Sequence, residues 1–437
     1  MDFKNALSDF AKGFQLKDAS EEVIAKSKLI LLDSITAIIS GNQMDHMKEL
    51  QKDTSKDKKD FAQRVPIYGT NHTNSPYMAA LINGIAMVND EMDEGNPLAK
   101  GHPSCHFLPA ILAISEEQEV SGFRFLESFI VGYEIGARAG SAVNLREKIH
   151  PHGNWGMIGS SFAVGKLLNY SKEEYLASVN ISASLSAISL WRPVLEGHRI
   201  RDIHIGMNNL HSCLVPSFTR SGFSGSSSTI ESIYDGGILG TSFNPEKITE
   251  KLGIDYYLTK TYFKFYAFCR FCHSPIDAIE TLIESENLGA EEVERIEVYT
   301  YSLAAKLSSQ EVKNEYAGKF SIPVAVASSF YKEGEEERVA ALAKRIFVFE
   351  DDELTKLLPD ERGSRLEVTV TSGETYRSYV RGAAGDATDE NLEDKVIEKC
   401  RLILESIIGM AEADQMIEGI LTIETSEDTR FIGGINR

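Results

Sequence analysis

The sequence predicts a mainly α-helical protein, with a large all-helical domain and a smaller inserted α+β domain. Three observations carry that expectation. At 437 residues the chain exceeds one compact core and fits two domains. Up to about Leu252 the apolar residues recur at helical spacing among many Gly, Ala and Ser. From about Gly253 the pattern switches to strand-like alternation, and helical periodicity returns at 391–407 and 415–421. If these last helices pack back on the first domain, the α+β unit is an insertion. The boundaries are then 1–255 with 392–437 for the helical domain and 256–391 for the α+β domain.

Taken in order, Asp18 with Glu21 reads as a capping box for a helix carrying Val23, Ile24, Leu29, Leu31, Leu32, Ile35, Ile38 and Ile39 and stopping at Gly41. It is apolar nearly all round and hence buried. Lys52 to Asp60 reads as a solvated connection, and Ser75-Pro76 opens a helix toward Val88. An acidic loop with Gly and Pro, DEMDEGNPLAKGHP, separates that helix from the next. Ser121-Gly122 starts an amphipathic helix to about Val143. IHPHGNWG leads into a helix from Gly156 to Leu168 whose Gly156, Gly159, Ser160, Ala163 and Gly165 permit close packing. Ser171 with Glu174 caps another, and a turn leads into a helix from Ile203 to Thr219. VERIEVYTY and RLEVTVTSGETYRSYVRG read as strands, the second with Ser372-Gly373 as a hairpin turn.

Hydrophobic content of 42% and charged content of 25% are those of a globular enzyme. A formal charge of -20 excludes a nucleic-acid binder, which needs a basic face, and disfavours an anionic membrane surface. The N-terminal residues show no apolar h-region and no long uncharged apolar run occurs, so the expectation is a cytoplasmic protein. Five cysteines in such a chain predict reduced thiols.

Against this acidic background each cation and histidine is informative, and eight of the ten histidines fall between His102 and His273. Asp93 and His102 flank the Gly/Pro loop, an arrangement suited to an acid/base pair; the bland alternative is a turn and a helix N-terminal contact. Trp191-Arg192, His198-Arg199, Arg201 and His204 form the densest basic cluster. Guanidinium forks match carboxylates, so Arg192, Arg201 and His204 are candidate substrate contacts, unless they are surface charges paired to nearby acids. Lys264 and Arg270 stand among Tyr262, Phe263, Phe265, Tyr266, Phe268 and Phe271, either snorkelling or lining a pocket. Cys269-x-x-Cys272-His273 has the form of a haem-attachment signature, which does not suit a chain without an export signal. Zinc would need more N/S ligands than this stretch offers. An iron–sulfur hydro-lyase would need Cys213 or Cys105 as a third thiolate, and otherwise the cysteines are packing. No dinucleotide, P-loop or nucleophile-elbow motif is present.

Several segments, in order, resemble the MmgE/PrpD family: DEMDEGN, GHPSCHFLPAILAISEE, SGFRFLESFIVGYEIGAR, HPHGNWGMIGSSFAVGKLLNYSKEEYLASVNISAS, RDIHIGMNNLHSCLVPSFTRSGFSG, YFKFYAFCRFCHSPIDAIETL and GKFSIPVAVASSF. The resemblance implies a helical domain with an inserted α+β domain, homodimers, and an active site between the domains that uses no metal or organic cofactor. By motif it carries catalytic roles to Asp93, His102, His152, Lys264 and His273, and an anion-binding role to Arg201. Two positions depart from the family's decarboxylases. Arg201 stands where they have Lys, and Arg is a poor proton donor. Val324 replaces a Tyr, removing a hydroxyl.

The expected chemistry is therefore at a carbon α to a carboxylate of a di- or tricarboxylate. Arg201, Lys264 and Arg270 would hold the carboxylates, and His102 or Asp93 would take the proton. Lys264, His152 or His273 would supply a second proton transfer. Dehydration of a 2-methylcitrate-like acid is the first reading. Epimerisation of an iminodisuccinate-like acid and decarboxylation of a cis-aconitate-like acid are the alternatives, with an inactive helical scaffold as the non-enzymatic one.

Overall fold

The computed structural model describes residues 2–54 and 64–433. It is mostly helical with little strand, and it divides into two compact units. The first comprises Met1–Trp191, Ile200–Phe263 and Glu390–Arg437, the second Arg192–Arg199 and Lys264–Asp389.

In the first unit the Glu21–Gly41 helix is buried on nearly every side, as its uninterrupted apolar run demands. Its cap differs from expectation: Ser20, not Asp18, accepts from the Val23 amide at 3.3 Å. Asp18 closes the preceding short 3-10 turn by accepting from the Gln15 amide. The connection read at Lys52 to Asp60 begins as the end of the Asp45–Thr54 helix, and its remainder lies outside the described residues. Ser75 caps the Pro76–Asn89 helix, Ser121 the Gly122–Ala142 helix, and Ser171 with Glu174 forms a complete capping box on the Lys172–Ser184 helix.

The small residues between 156 and 165 act as the sequence suggests. A Cβ on Gly159 would lie 2.6 Å from the Gly132 carbonyl oxygen, so the Gly156–Leu167 and Gly122–Ala142 helices cross at backbone contact. The basic-cluster helix spans Ile200–Arg220 and starts earlier than its periodicity indicated, which puts Arg201 on the helix itself and not on the turn before it.

The second unit is built on a four-stranded sheet in the order Ile346–Glu350, Val293–Thr300, Ser364–Val370, Thr375–Val380. The hairpin at 370–375 turns through Gly373 at a φ of 90°. The Ile346–Glu350 strand went unread in the sequence; it pairs parallel to Val293–Thr300, a pairing between segments far apart in the chain. The His273–Glu286 helix buries Ile276, Ile279 and Leu282 in this unit's core with Ile296, Val298, Leu366 and Val368.

Candidate active site

The acidic loop is folded back on itself. Asn96 and Gly101 exchange backbone hydrogen bonds, and the Asn96 side chain accepts from the amides of Leu98 and Ala99, an Asx turn that closes the bend. A second backbone pair joins Gly95 to Tyr262. At the loop's start, the Lys399 ammonium donates to Asp33 at 2.5 Å and to the Met92 carbonyl at 3.0 Å.

This fold-back brings Asp93 against His102. Asp93 Oδ2 lies 2.8 Å from His102 Nδ1, close in distance but too oblique to be a straight hydrogen bond. Such contacts commonly straighten only when substrate is bound. The imidazole side chain is 11% exposed and the carboxylate behind it 1%, so a ligand arriving from solvent would meet His102, with Asp93 set to orient and charge-stabilise it.

Three further imidazoles surround His102. His152 packs edge-on at 4.9 Å between ring centroids, and His150 and His106 lie 4.7 and 6.1 Å from His152. His106 Nδ1 faces the His102 carbonyl oxygen at 3.0 Å while its Nε2 accepts the Gly153 amide at 3.1 Å, which fixes the neutral Nδ1–H tautomer. Burial pulls His106 down to about 4. Burial, reinforced by the nearby Arg201 charge, holds His150 and His152 well below the usual imidazole range. Neither ring nitrogen of His152 has a hydrogen-bond partner among the described residues. A Cβ on Gly156 would overlap the His106 ring, so that position excludes any larger side chain.

Glu94 is the acid the sequence reading missed. Its carboxylate accepts from the Ser104 amide at 3.1 Å, from the Ser104 hydroxyl, and from Tyr133 Oη at 2.6 Å, the Tyr133 hydroxyl also lying 2.7 Å from Thr261 Oγ1. Burial lifts it to about 7. Glu91, at a φ of 58°, pairs with Arg201. Arg201 is 1% exposed; its Nε donates to Asp202 at 2.9 Å and its Nη2 to the Val88 carbonyl at 2.8 Å. Its fork is therefore engaged by protein groups, and what it visibly supplies is a fixed positive field on His150 and His152. His204 is half-buried, with its Cβ against the Gly153 backbone.

In the second unit, Arg270 and His273 come together. Arg270 Nη1 is 3.3 Å from His273 Nδ1, and His273 Nε2 is 3.1 Å from the Phe268 carbonyl, consistent with a neutral Nε2–H ring. Arg270 also donates to the carbonyls of Ala383 and Ala384 and to Asp386 at 2.6 Å. Lys264 is fully buried. Arg192 stays out of these groups: its side chain is 86% exposed and bonds Glu196 one helical turn on. Val324 sits at the start of the Ile322–Ser328 helix, packed against the sheet unit's core.

All five cysteines are buried and none forms a disulfide. Among the described residues no group of three or more His, Cys, Asp or Glu could hold a metal ion. Also among them, no helix is long and apolar enough to cross a membrane.

Residues 5–250 match the MmgE/PrpD N-terminal domain and residues 266–424 its C-terminal domain. The chain belongs to the MmgE/PrpD family. Members of this family are lyases, dehydratases and decarboxylases among them. Relatives include a cis-aconitate decarboxylase-like protein, oryM, of Aspergillus oryzae, 24% identical over 94% of this chain and 92% of that one. A cis-aconitate decarboxylase of Aspergillus terreus is 26% identical over 62% of this chain and 58% of its own length.

Proposed function

We propose that the protein is a lyase that moves a proton at a carbon α to a carboxylate of a di- or tricarboxylate, with loss of water as its reaction. The observation that carries this is the Asp93–His102 contact in a buried, histidine-rich setting. His102 takes the α-proton, and the Asp93 carboxylate stabilises the imidazolium that forms. As the C–H pair moves into the new C=C bond, the hydroxyl leaves with a proton from a second group. His152, held neutral by burial and the Arg201 field, is a poor donor, so that role is assigned to Lys264, with His273 and Arg270 contributing to turnover.

A second reading is supported by the relatives, one named a cis-aconitate decarboxylase-like protein and another a cis-aconitate decarboxylase. There the carboxylate departs as carbon dioxide and protonated His102 returns a proton to the carbon. Incubation with citrate-like, aconitate-like and iminodisuccinate-like acids in deuterated water separates the outcomes. An absorbing alkene with loss of water supports the first reading and release of carbon dioxide the second. Deuterium uptake alone points to epimerisation, and no conversion of any acid supports an inactive scaffold.

The same proposal includes a cytoplasmic homodimer. Five buried cysteines without a disulfide suit a reducing compartment. Ile200, Ile203, Met207, Leu210, Leu214 and Phe218 recur at three- and four-residue spacing on the Ile200–Arg220 helix and are all exposed or half-exposed. Such an apolar stripe is what a second copy of the chain would cover.

A further inference from the structure

A cavity of about 270 Å³ in the helical unit belongs to none of the groups above. Three separate helices each bring one cation to it: Lys12 from the last turn of Phe3–Gly13, Arg124 from the first turn of Gly122–Ala142, and Lys166 from the last turn of Gly156–Leu167. The surrounding charge makes this unusual. The chain carries 65 acidic against 45 basic residues, and an unpaired cation has many carboxylates available to it. Yet neither Lys12 nor Arg124 has a carboxylate within ion-pair distance among the described residues.

The third cation is fixed in place. Lys166 Nζ lies 3.6 Å from Glu127 Oε2 and donates to the Phe14 carbonyl, while Glu127 Oε1 accepts the Leu16 amide at 2.8 Å. Both side chains of this pair are 11% exposed. Burial is the largest effect on Lys166 and holds its ammonium below the usual lysine range, with Arg124 adding to it, while Glu127 and, less, Asp18 favour the charged form. Of the charged side chains lining the cavity, three are positive and one, Glu127, is negative. The remaining wall is largely aromatic: Tyr170 is 3% exposed and Phe123, at 44%, stands open to solvent.

We propose that this cavity is a second binding site, for a small multivalent oxyanion, a polycarboxylate or a phosphate. An Arg fork without a protein acceptor suits one carboxylate or phosphoryl group bidentately, and two lysines offer point charges to a second. The volume is below that of sites for drug-sized ligands, which restricts the occupant to a compact anion. A ligand that compensates the buried Lys166 charge would also favour its protonated form. The site stands independently of the reaction proposed for His102, since it shares no residue with it.

The test is calorimetric titration of the full-length protein at low ionic strength with citrate and, separately, inorganic pyrophosphate. The wild type is compared with Arg124→Ala and with Lys12→Ala/Arg124→Ala, circular dichroism confirming that each variant is folded. The expected result is a saturable site for at least one anion, weakened tenfold or more in both variants, partly restored in Arg124→Lys, with turnover at the His102 site unchanged. Binding of citrate alone identifies a carboxylate site, of pyrophosphate alone a phosphate site, and of both a general oxyanion site. Failure of both anions to bind, or equal affinity in wild type and Lys12→Ala/Arg124→Ala, overturns the proposal.

Discussion

The acid sensitivity of the histidine group offers a quantitative test of the fold around the site. His106 is fully buried and held at about 4, against 6.5 for a solvated imidazole. In the unfolded chain it binds a proton below pH 6.5, and in the folded protein it resists doing so until near pH 4. The stability this contributes is present above pH 6.5 and lost as pH falls toward 4. Over the whole window the shift corresponds to roughly 3 kcal/mol, of which about 2 kcal/mol is lost between pH 7 and pH 5. His106→Gln keeps an amide able to donate to the His102 carbonyl and accept from the Gly153 amide, but it does not titrate. Both tryptophans, Trp155 and Trp191, belong to the helical unit, and Trp155 packs on His106 at 5.0 Å between centroids. Urea unfolding followed by their fluorescence therefore reports on that unit. The stability difference between wild type and His106→Gln should shrink by about 2 kcal/mol from pH 7 to pH 5. Glu94, raised from 4.5 to about 7, supplies the opposite control. Its contribution is present below pH 4.5 and lost as pH rises through 7, so wild type should gain on Glu94→Gln by about 2 kcal/mol over the same acidification. A wild type–His106→Gln difference that does not change with pH would refute the assignment of His106 as a buried neutral ring.

Three further outcomes follow from the packing and the proposed roles. Gly156→Ala places a methyl group inside the His106 ring and should cost about 1–3 kcal/mol, read as a fall in melting temperature. Gly13→Ala, whose Cβ meets nothing within 4 Å, should not show that fall. Lys264→Ala should abolish turnover while Cys269→Ser keeps most of it, both with unchanged circular dichroism; the reverse result would return the chemistry to the sulfurs. Light scattering should report a dimer for the wild type and a monomer for Ile203→Glu/Phe218→Glu, and a monomeric wild type would contradict the second-copy role given to that helix face.

What was legible in the sequence was mainly what is local. Ser171 and Glu174, three residues apart, form the box their spacing signals, and Ser75-Pro76 and Ser121-Gly122 mark true helix starts. The Asp93–His102 contact was readable because a Gly/Pro loop of a few residues can double back only over a short range. What stayed hidden depends on distant partners. Glu94 looks like any residue of an acidic loop until Ser104 and Tyr133 bury it. His106 and His150 join His152 through the tertiary fold, their nearest signal being the crowding of histidines between 102 and 273. Arg201 reads as a ligand-binding fork in sequence, and in the structure Glu91 and Asp202 engage it. Lys399 reaches Met92 across some three hundred residues of chain.

The central claim, that His102 moves a proton at carbon with Asp93 behind it, is tested most directly by solvent exchange. Wild-type protein, His102→Asn and Asp93→Asn are incubated in ordinary water with whichever acid the wild type converts, carrying deuterium at its α-carbon, and release of that label to the solvent is followed by NMR. Label is expected to leave at the wild-type rate of turnover, and about 10²–10⁴-fold more slowly in both variants while circular dichroism is unchanged. Wild-type exchange persisting in His102→Asn would contradict it.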